Sequence, residues 1–531
     1  MDTPFGPIPD RFLPAMSMAD QHDYLRSRMP RRRFLQTAAA AGGLLIAGPV
    51  LWKRPGYAAE TPASRHLTFG NDPRRDMHVS WSTTAPVQNA VVDVGLDTTY
   101  GLTLPAETRA VAGAATNYHH GHLSGLQPGT TYHYRVRHDG GASEDATFRT
   151  APAGPVPFTF TAFGDQGVSA GAQAITARVA AVAPAFHIHA GDLCYANNRG
   201  LGQPAQLNMP DNAVWDVWLS QMTTVATSAP WMTAIGNHEM EGGYGPQGYD
   251  GYLARFSLPD GGPVPGVYVF RYGNVAVVSL DANDVSYEIP ANLGYTGSTQ
   301  DAWLRSTLAA LRADPGVDFI VAQFHHCAYC SNAVHGSEGG VRDRWLAAFD
   351  EFAVDLVVNG HNHSYERTHS VRAGAVTGDA PNGAVVRPAE QGTTYVTAGG
   401  GGQVAYQASP YPLSYVTING GVRVPETAPW SAVRYLDLSF IALDVTPPGA
   451  DGRTTLALRA LKPDGAVVDS VTLERTRLAP VPTSSPGVRA AGAQQGGNLA
   501  ATGGGTGVAV GLAAAGAAAA LRATQRKIAD R

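Results

Sequence analysis

Five short apolar runs in the 531-residue chain each stop at a residue that can bind a metal ion. The endings read GDQG, GDLCY, GNHE, HHC and GHNH, and each follows a stretch typical of a buried strand. One such ending is a common turn, but five in one region predict a shared metal centre. The candidate ligands are Asp165, Asp192, Tyr195, Asn237, His325, His361 and His363.

The donor types restrict the metal. Carboxylate, amide, phenolate and imidazole groups without a thiolate suit iron, zinc or manganese, and they exclude copper(I) and iron–sulfur clusters. Seven donors are too many for one tetrahedral ion but suit two ions that share a carboxylate. Two ions about 3.5–4 Å apart can hold both the attacking and the leaving oxygens of a phosphoryl displacement. The residues therefore predict phosphate-ester hydrolysis.

The elements that must position these residues form an α/β pattern. From Phe158 to about Val445, apolar runs alternate with helical stretches, which predicts helices covering a sheet whose strand ends carry the site. Glycine at positions 164, 191, 236 and 360 allows sharp turns there. A strand-rich piece, 435–477, is predicted to close the same domain.

The region before this domain has a different pattern. Short alternating strands separated by turn residues run from about Ser64 to Thr150, which predicts an immunoglobulin-like or fibronectin III-like sandwich. Three histidines in it, His119, His120 and His122, are assigned to a surface strand rather than to a metal site. Residues 151–157 read as a linker.

Charge and cysteine content exclude several functions. The formal charge of −5 is dispersed, so no basic stripe is available for nucleic acid. Of three cysteines, Cys327 and Cys330 form one CxxC without a second pair, which excludes a zinc ribbon. Either a small surface disulfide or two unpaired thiols is expected.

Both ends of the chain resemble targeting segments. Residues 1–59 contain Arg31 and Arg32 before an Ala/Gly/Leu-rich run and resemble a signal for the twin-arginine (Tat) export machinery. Residues 478–498 are a predicted flexible spacer. Residues 499–531 begin LAATG and resemble an LAxTG signal that a sortase joins to the cell wall, with a disordered tail as the alternative. A secreted protein attached to the cell wall is expected.

The motifs DxG, GDxxY, GNH[DE], a histidine after a strand, and GHxH resemble those of purple acid phosphatases, within the metallophosphoesterases. The resemblance spans Ser64 to Arg477, and the tyrosine of GDxxY is its most specific element. It implies an α/β metallophosphoesterase sandwich, two β-sheets flanked by helices, in residues 155–477. An all-β fibronectin III-like sandwich would precede it in residues 60–152.

The resemblance also implies roles for individual residues. A ferric ion would be held by Asp165, Asp192, Tyr195 and His363. A divalent iron, zinc or manganese ion would be held by Asn237, His325, His361 and the bridging Asp192. His238 would bind phosphoryl oxygens and His335 would assist the leaving group, with Glu338 as a nearby group able to raise the pKa of His335.

One motif departs from the family pattern. The family has Val at the position of Ala322, and His325 is followed directly by His326. His325 is taken as the ligand, with His326 as the alternative.

These features lead to one principal functional hypothesis. A secreted acid phosphatase would hydrolyse phosphate monoesters by attack of a metal-bound hydroxide. The alternatives are a phosphodiesterase or nucleotide-cleaving metallophosphoesterase, and a surface-binding protein with a vestigial metal centre. The oligomeric state is not indicated.

Overall fold

A β-sandwich and a larger α/β domain make up the described part of the chain, residues 60–196, 211–241, 246–290, 292–405 and 413–477 of the computed structural model. The export-signal segment 1–59, the spacer 478–498 and the sorting-signal segment 499–531 lie outside the described residues. In the part described, no helix has the length and apolar character needed to cross a membrane.

The sandwich has the all-β architecture that the sequence predicts. Its strands pair in the order β1-β2-β5-β4-β3-β6-β7, with β8 on β6. Alternation along β6 buries Tyr132, Tyr134 and Val136 in the core. The strands are β1 (Ala63–Phe69), β2 (Met77–Thr83), β3 (Val91–Gly95), β4 (Leu102–Ala110), β5 (Asn117–Leu123), β6 (Thr131–His138), β7 (Gly141–Ala142) and β8 (Ala146–Arg149).

Two of the sandwich histidines are buried, so their assignment to the surface was wrong. The two ring nitrogens of His119 each lie 2.9 Å from a threonine hydroxyl, those of Thr83 and Thr108. His120 bonds Ser80 Oγ at 2.8 Å and the carbonyl of Ala254 at 3.0 Å. These polar partners compensate for the burial of the two neutral imidazole rings. His122, in contrast, is exposed.

His119 predicts acid sensitivity of the sandwich. Burial lowers the pKa of His119 from 6.5 to about 4. Below pH 6.5, His119 therefore binds a proton in the unfolded chain but stays neutral in the folded chain. As the pH decreases from 6.5 to about 4, the free energy of unfolding falls. The loss is at most about 3.4 kcal/mol, from about 1.36 kcal/mol per pKa unit.

Thermal melts across this pH range test the effect. Gln in place of His119 can still bond both threonines but does not titrate, so His119→Gln should flatten the dependence of Tm on pH. His122→Gln, an exposed change on the same strand, is the matched control. An unchanged slope in His119→Gln would contradict the assignment.

The α/β domain contains nineteen strands and six α-helices within the described residues. The strands are β9 (Phe158–Phe163), β10 (His187–His189), β11 (Trp231–Thr233), β12 (Tyr268–Tyr272), β13 (Val275–Ser279), β14 (Phe319–Gln323), β15 (Ser337–Glu338), β16 (Leu356–Asn359), β17 (Tyr365–Thr368), β18 (Ser370–Arg372), β19 (Ala375–Gly378), β20 (Ala384–Val386), β21 (Thr394–Ala398), β22 (Leu413–Ile418), β23 (Val422–Thr427), β24 (Ser431–Tyr435), β25 (Phe440–Thr446), β26 (Arg453–Leu461) and β27 (Val467–Thr476). The helices are α1 (Ala170–Val182), α2 (Asn212–Ala226), α3 (Asp250–Arg255), α4 (Thr299–Ala313), α5 (Gly339–Glu351) and α6 (Pro388–Gln391).

Two seven-stranded sheets form the centre of this domain, which confirms the predicted fold class. One has the order β11-β10-β9-β25-β26-β27-β20 and the other β12-β13-β14-β16-β21-β17-β24. Strands β9, β10 and β11 are mutually parallel, as are β13, β14, β16 and β21. The fully buried run of β14, FIVAQ, is typical of a strand covered on both faces. Strands β15, β22 and β23 form a separate small sheet.

The sandwich and the α/β domain share one hydrophobic core. Phe69 of β1 packs on Phe186 and Phe270 with ring centroids 5.9 and 5.5 Å apart. Phe186 in turn stacks on Phe160 of β9 at 4.9 Å. The predicted closing segment also joins the domain, because β25 pairs antiparallel with β9. The strands that carry the site are therefore stabilised by packing against the sandwich and by pairing with the closing segment.

Candidate metal centre

The five strand ends singled out in the sequence meet in space, although they come from two sheets. The turns after β9, β10 and β11 belong to one sheet and those after β14 and β16 to the other. Their backbones bond across the turns: Asp165 N–H donates to the carbonyl of Gly191 at 3.1 Å, and Gly360 N–H donates to that of His325 at 3.0 Å. The residue pattern predicted the convergence of the ends and the family resemblance implied two sheets, but which end belongs to which sheet is seen only in the structure.

Four candidate ligands adopt left-handed backbone conformations. Their φ angles are 60° for Asp165, 54° for Asp192, 59° for Tyr195 and 67° for His361. Non-glycine residues rarely adopt this region, and where they do they cluster at functional sites because the surrounding structure must hold them there. The strained backbone of these turns therefore orients the four side chains, which a turn of lower strain would not do.

Two glycines are required by close approach at the same turns. A Cβ on Gly236 would lie 2.2 Å from Asp192 Oδ1, and one on Gly360 would lie 2.6 Å from Asp165 Oδ2. Each glycine directly precedes a candidate ligand in the chain. Because glycine has no side chain, the carboxylates of Asp192 and Asp165, which follow other strands, can approach the backbone at these two positions.

Glu239 of the GNHE turn ties two of the endings together. Its buried carboxylate accepts hydrogen bonds from the backbone N–H groups of Asp192 and Leu193, both at 2.8 Å, and of Gly236 at 2.7 Å. Burial raises the pKa of Glu239 to about 8. The sequence motif includes this residue, but its task of locking the turns after β10 and β11 is visible only in three dimensions.

One group of ligand atoms gathers around Tyr195. Its hydroxyl oxygen lies 3.1 Å from Asp165 Oδ1 and 3.0 Å from His363 Nε2. Asp165 Oδ2 is buried and has no hydrogen-bond partner within the described residues. Burial raises the pKa of Asp165 well above its usual range. A buried carboxylate oxygen without a donor is costly unless it meets a cation, so the group suits a metal ion.

A second group gathers around Asp192. Ligand atoms of Asp192, His325 and His361 lie within 4.8 Å of one another. Asp192 Oδ2 is 3.1 Å from His325 Nε2, and Asn237 Oδ1 is 3.0 Å from His361 Nδ1. Burial opposes a charge on His325, but Asp192, Asp165 and the carbonyl of Ala190 together outweigh burial and raise the pKa of His325 to about 10. This arrangement stabilises positive charge beside Asp192.

The three candidate histidine ligands share one arrangement. Each directs one ring nitrogen at the cluster and bonds an acceptor with the other. The outer partners are the carbonyl of Ala190 for His325 at 2.8 Å, Glu288 for His361 at 3.0 Å, and the carbonyl of Val404 for His363 at 3.0 Å. Metal-binding histidines are normally held in this way, because the outer bond fixes the tautomer and ring orientation. The donor set therefore fits two metal ions.

The structure separates His325 from His326. The ring of His325 faces Asp192, whereas the ring of His326 packs on that of His361 with centroids 4.3 Å apart. His326 is fully buried, and its nitrogens have no hydrogen-bond partner within the described residues. His325 is thus the one placed among the other candidate ligands.

Two further histidines border the cluster. His238 Nε2 is 3.8 Å from Asp192 Oδ2, and its ring lies 4.3 Å from that of Tyr195. His335 Nδ1 is 2.9 Å from Glu288 Oε1, and its ring centroid is 4.0 Å from that of His361. Both predicted catalytic residues therefore lie at the site.

Glu338, the carboxylate that the sequence places near His335, accepts its hydrogen bonds from a neighbouring loop and from the start of helix α5. Its carboxylate accepts bonds from Ser286 Oγ at 3.0 Å, Tyr287 N–H at 2.9 Å and Gly340 N–H at 3.0 Å. The carboxylate that contacts His335 is Glu288, 47 residues earlier in the chain. No spacing or motif in the sequence marks Glu288, since its loop between β13 and α4 approaches the site only through folding.

The two cysteines of the CxxC are unpaired and buried, not a surface disulfide. The Cys327 thiol donates to the carbonyl of Gly360 at 2.9 Å and accepts from Thr397 Oγ1 at 3.3 Å. Of the two expectations for this motif, unpaired thiols is the correct one, and Cys327 supports the GHNH turn.

Strand ends of two packed sheets carrying this donor set define a metallophosphoesterase. Residues 158–365 match the family described as calcineurin-like phosphoesterase, and residues 62–150 match the purple acid phosphatase N-terminal domain. The chain belongs to the purple acid phosphatase family, whose members are phosphoesterases that depend on a binuclear metal centre.

Individual relatives agree with this assignment. The chain is 36% identical to an uncharacterized protein of Mycobacterium tuberculosis, over 84% of this chain and 96% of the relative. It is 25% identical to purple acid phosphatase 18 of Arabidopsis thaliana, over 61% and 69%. The fold is similar to that of a purple acid phosphatase from yellow lupin seeds, with a TM-score of 0.63, 22% identity and coverage of 82% and 78%.

Proposed function

We propose that this protein is a secreted acid phosphatase that hydrolyses phosphate monoesters at a binuclear centre containing ferric iron and a divalent iron, zinc or manganese ion. The observation that carries the proposal is the pair of ligand groups, one around Tyr195 and one around Asp192. Tyr195, Asp165 and His363 would hold the ferric ion, and Asn237, His325 and His361 the divalent one, with Asp192 shared. A phenolate donor suits the ferric ion because both are hard.

The protein residues have separable tasks in this reaction. When bound, the two ions supply a nucleophile of lowered pKa and neutralise charge on the phosphoryl group. His238 is placed to donate a hydrogen bond to phosphoryl oxygens, since burial lowers its pKa to about 4 and keeps it neutral with one N–H. His335 would protonate the leaving oxygen, and Glu288 holds its ring through Nδ1 at 2.9 Å.

A comparison of two chromogenic esters tests the proposal. Purified protein should hydrolyse p-nitrophenyl phosphate faster than bis(p-nitrophenyl) phosphate, lose activity after chelation and regain it with added metal. Faster hydrolysis of the diester would instead support a phosphodiesterase or nucleotide-cleaving enzyme. A relative 25% identical over 64% of this chain, from Allium cepa, is named phosphoenolpyruvate phosphatase, which favours the monoester.

The surface-binding hypothesis has less support. A vestigial centre should have lost ligands, yet all seven candidate donors are present and each contacts at least one other. Metal-loaded protein that hydrolyses neither ester would favour this hypothesis.

We further propose export by the Tat machinery and attachment to the cell wall. The support is Arg31 and Arg32 before an apolar run, and LAATG at Leu499 to Gly503. Replacing both arginines by lysine should retain the precursor inside the cell, and Thr502→Ala should move the protein from the wall fraction to the medium. Unchanged fractionation in either variant would contradict the corresponding step.

A further inference from the structure

Glu288 connects the two halves of the site with a single carboxylate. Its Oε2 lies 3.0 Å from His361 Nε2, and its Oε1 lies 2.9 Å from His335 Nδ1. Its side chain is only 5% exposed. One residue therefore bonds both a candidate ligand of the divalent ion and the candidate general acid.

The segment that carries Glu288 is itself held firmly. The carboxylate of Glu338, which also caps helix α5, receives the N–H of Tyr287 at 2.9 Å and that of Glu288 at 3.3 Å. Ser286 Oγ donates to the same carboxylate and accepts the N–H of Glu288 at 3.2 Å. A buried, bonded loop of this kind fixes the position of the Glu288 side chain.

We propose that Glu288 is a positioning residue that sets both metal retention and leaving-group protonation. By binding Nε2–H of His361 it presents Nδ1 of that ring to the metal position beside Asn237. A carboxylate in this outer position orients the ring and raises its basicity, and loss of such a partner costs about 10–100-fold in metal affinity or activity. The other oxygen orients His335, and this second half rests on the proposed function.

Glu288→Gln tests both parts of this proposal. The amide oxygen of Gln can accept a hydrogen bond from only one of the rings of His361 and His335, while its NH₂ group faces the other. Metal competition against a chelator should show divalent-ion affinity about 10–100-fold weaker, with iron content retained. The kcat should fall more for phenyl phosphate than for p-nitrophenyl phosphate, since the poorer leaving group needs its proton more. The metal measurement stands even if the protein is no phosphatase.

Two variants complete this experiment. Glu366→Gln is the matched control, because Glu366 is also a buried carboxylate but bonds Ser331 and Ser431 instead of His335 and His361. This variant should have the metal affinity and the substrate ratio of the wild type. Glu288→Asp keeps the charge but cannot reach both rings, so it should show part of the loss. Wild-type affinity in Glu288→Gln, an unchanged substrate ratio, or equal losses in Glu366→Gln would each overturn the dual role.

A separate observation concerns Arg423 on β23, at the rim of the site. Its guanidinium lies over the ring of Tyr415, 4.9 Å from the centroid, and its side chain is 40% exposed. Its Nη2 forms a long ion pair with Glu288 Oε1 at 3.9 Å, beyond hydrogen-bond distance, and that oxygen already bonds His335. Within the described residues, no side-chain hydrogen bond of Arg423 is found.

We infer that Arg423 forms a subsite for a second anionic group on the leaving part of the substrate. A planar guanidinium binds carboxylate or phosphate through paired hydrogen bonds, and this one lies on the His335 side of the site. The favoured substrates would then be phosphomonoesters that carry another carboxylate or phosphate. This inference rests on the proposed monoesterase function.

A matched substrate pair tests the subsite. The ratio of kcat/KM for 3-carboxyphenyl phosphate to that for phenyl phosphate should fall about tenfold in Arg423→Gln, equivalent to about 1.4 kcal/mol. A 3-phosphonophenyl phosphate arm distinguishes phosphate from carboxylate preference. Arg305→Gln, at an exposed ion pair with Glu351, is the control. An unchanged ratio overturns the subsite, whereas failure of the wild type to hydrolyse phenyl phosphate overturns the monoesterase itself.

Discussion

Asp192→Asn should abolish hydrolysis and deplete both metal ions. Asp192 contacts the second ligand group with Oδ2, 3.1 Å from His325 Nε2, and its backbone carbonyl accepts the N–H of Gln166, next to Asp165, at 3.1 Å. An amide is nearly the same size but lacks the negative charge that two cations would share. The loss of activity should exceed the about 100-fold that removal of an outer partner costs.

Metal content and turnover of the purified variant measure this effect together. Asp444→Asn is a suitable control, because Asp444 bonds Thr159 and Arg459 in the first sheet and its side chain is 41% exposed. That control should retain two metal ions and wild-type turnover. An Asp192→Asn protein with both metals and normal turnover would refute its assignment as the shared ligand.

His325→Asn and His326→Asn should have opposite outcomes. Both side chains are fully buried, so the two changes have similar packing consequences. His325→Asn should lose the divalent ion and more than about 100-fold in activity, a loss beyond that of an outer partner. His326→Asn should keep both metals, because its ring packs on His361 and does not face Asp192.

Metal analysis and thermal melts of the pair provide the measurement. Similar losses of stability with metal loss in His325→Asn alone would agree with the placement of the two rings. Metal loss confined to His326→Asn would move the ligand by one residue and contradict it.

The strand ends could be predicted because local sequence determines them. A buried strand such as FIVAQ followed by a histidine, or LVVN followed by Gly-His, marks an end without any knowledge of its neighbours. Parallel strands deliver their ends to one edge, so the candidate ligands could be grouped before their distances were known. The two sheets were implied only by the family resemblance, and the distribution of the five ends between them could not be deduced, since strand order depends on pairing across the whole domain.

Contacts between segments that are far apart in the chain could not be predicted from the sequence. Glu288 meets His335 and His361 across 47 and 73 residues, and no periodicity connects them. Glu338, only three positions from His335, was the natural candidate, but it serves as the cap of α5 instead. The burial of His119 likewise depends on Thr83 and Thr108 on neighbouring strands, which a polar sequence does not reveal.

The most direct test of the account is metal analysis of the purified mature protein with its visible spectrum, repeated for Tyr195→Phe. Two metal ions per chain, one of them iron, are expected, with a broad visible band that disappears in the variant because a phenolate would no longer bind the ferric ion. Protein that holds no metal when purified and reloaded, or a band that persists in Tyr195→Phe, would contradict it.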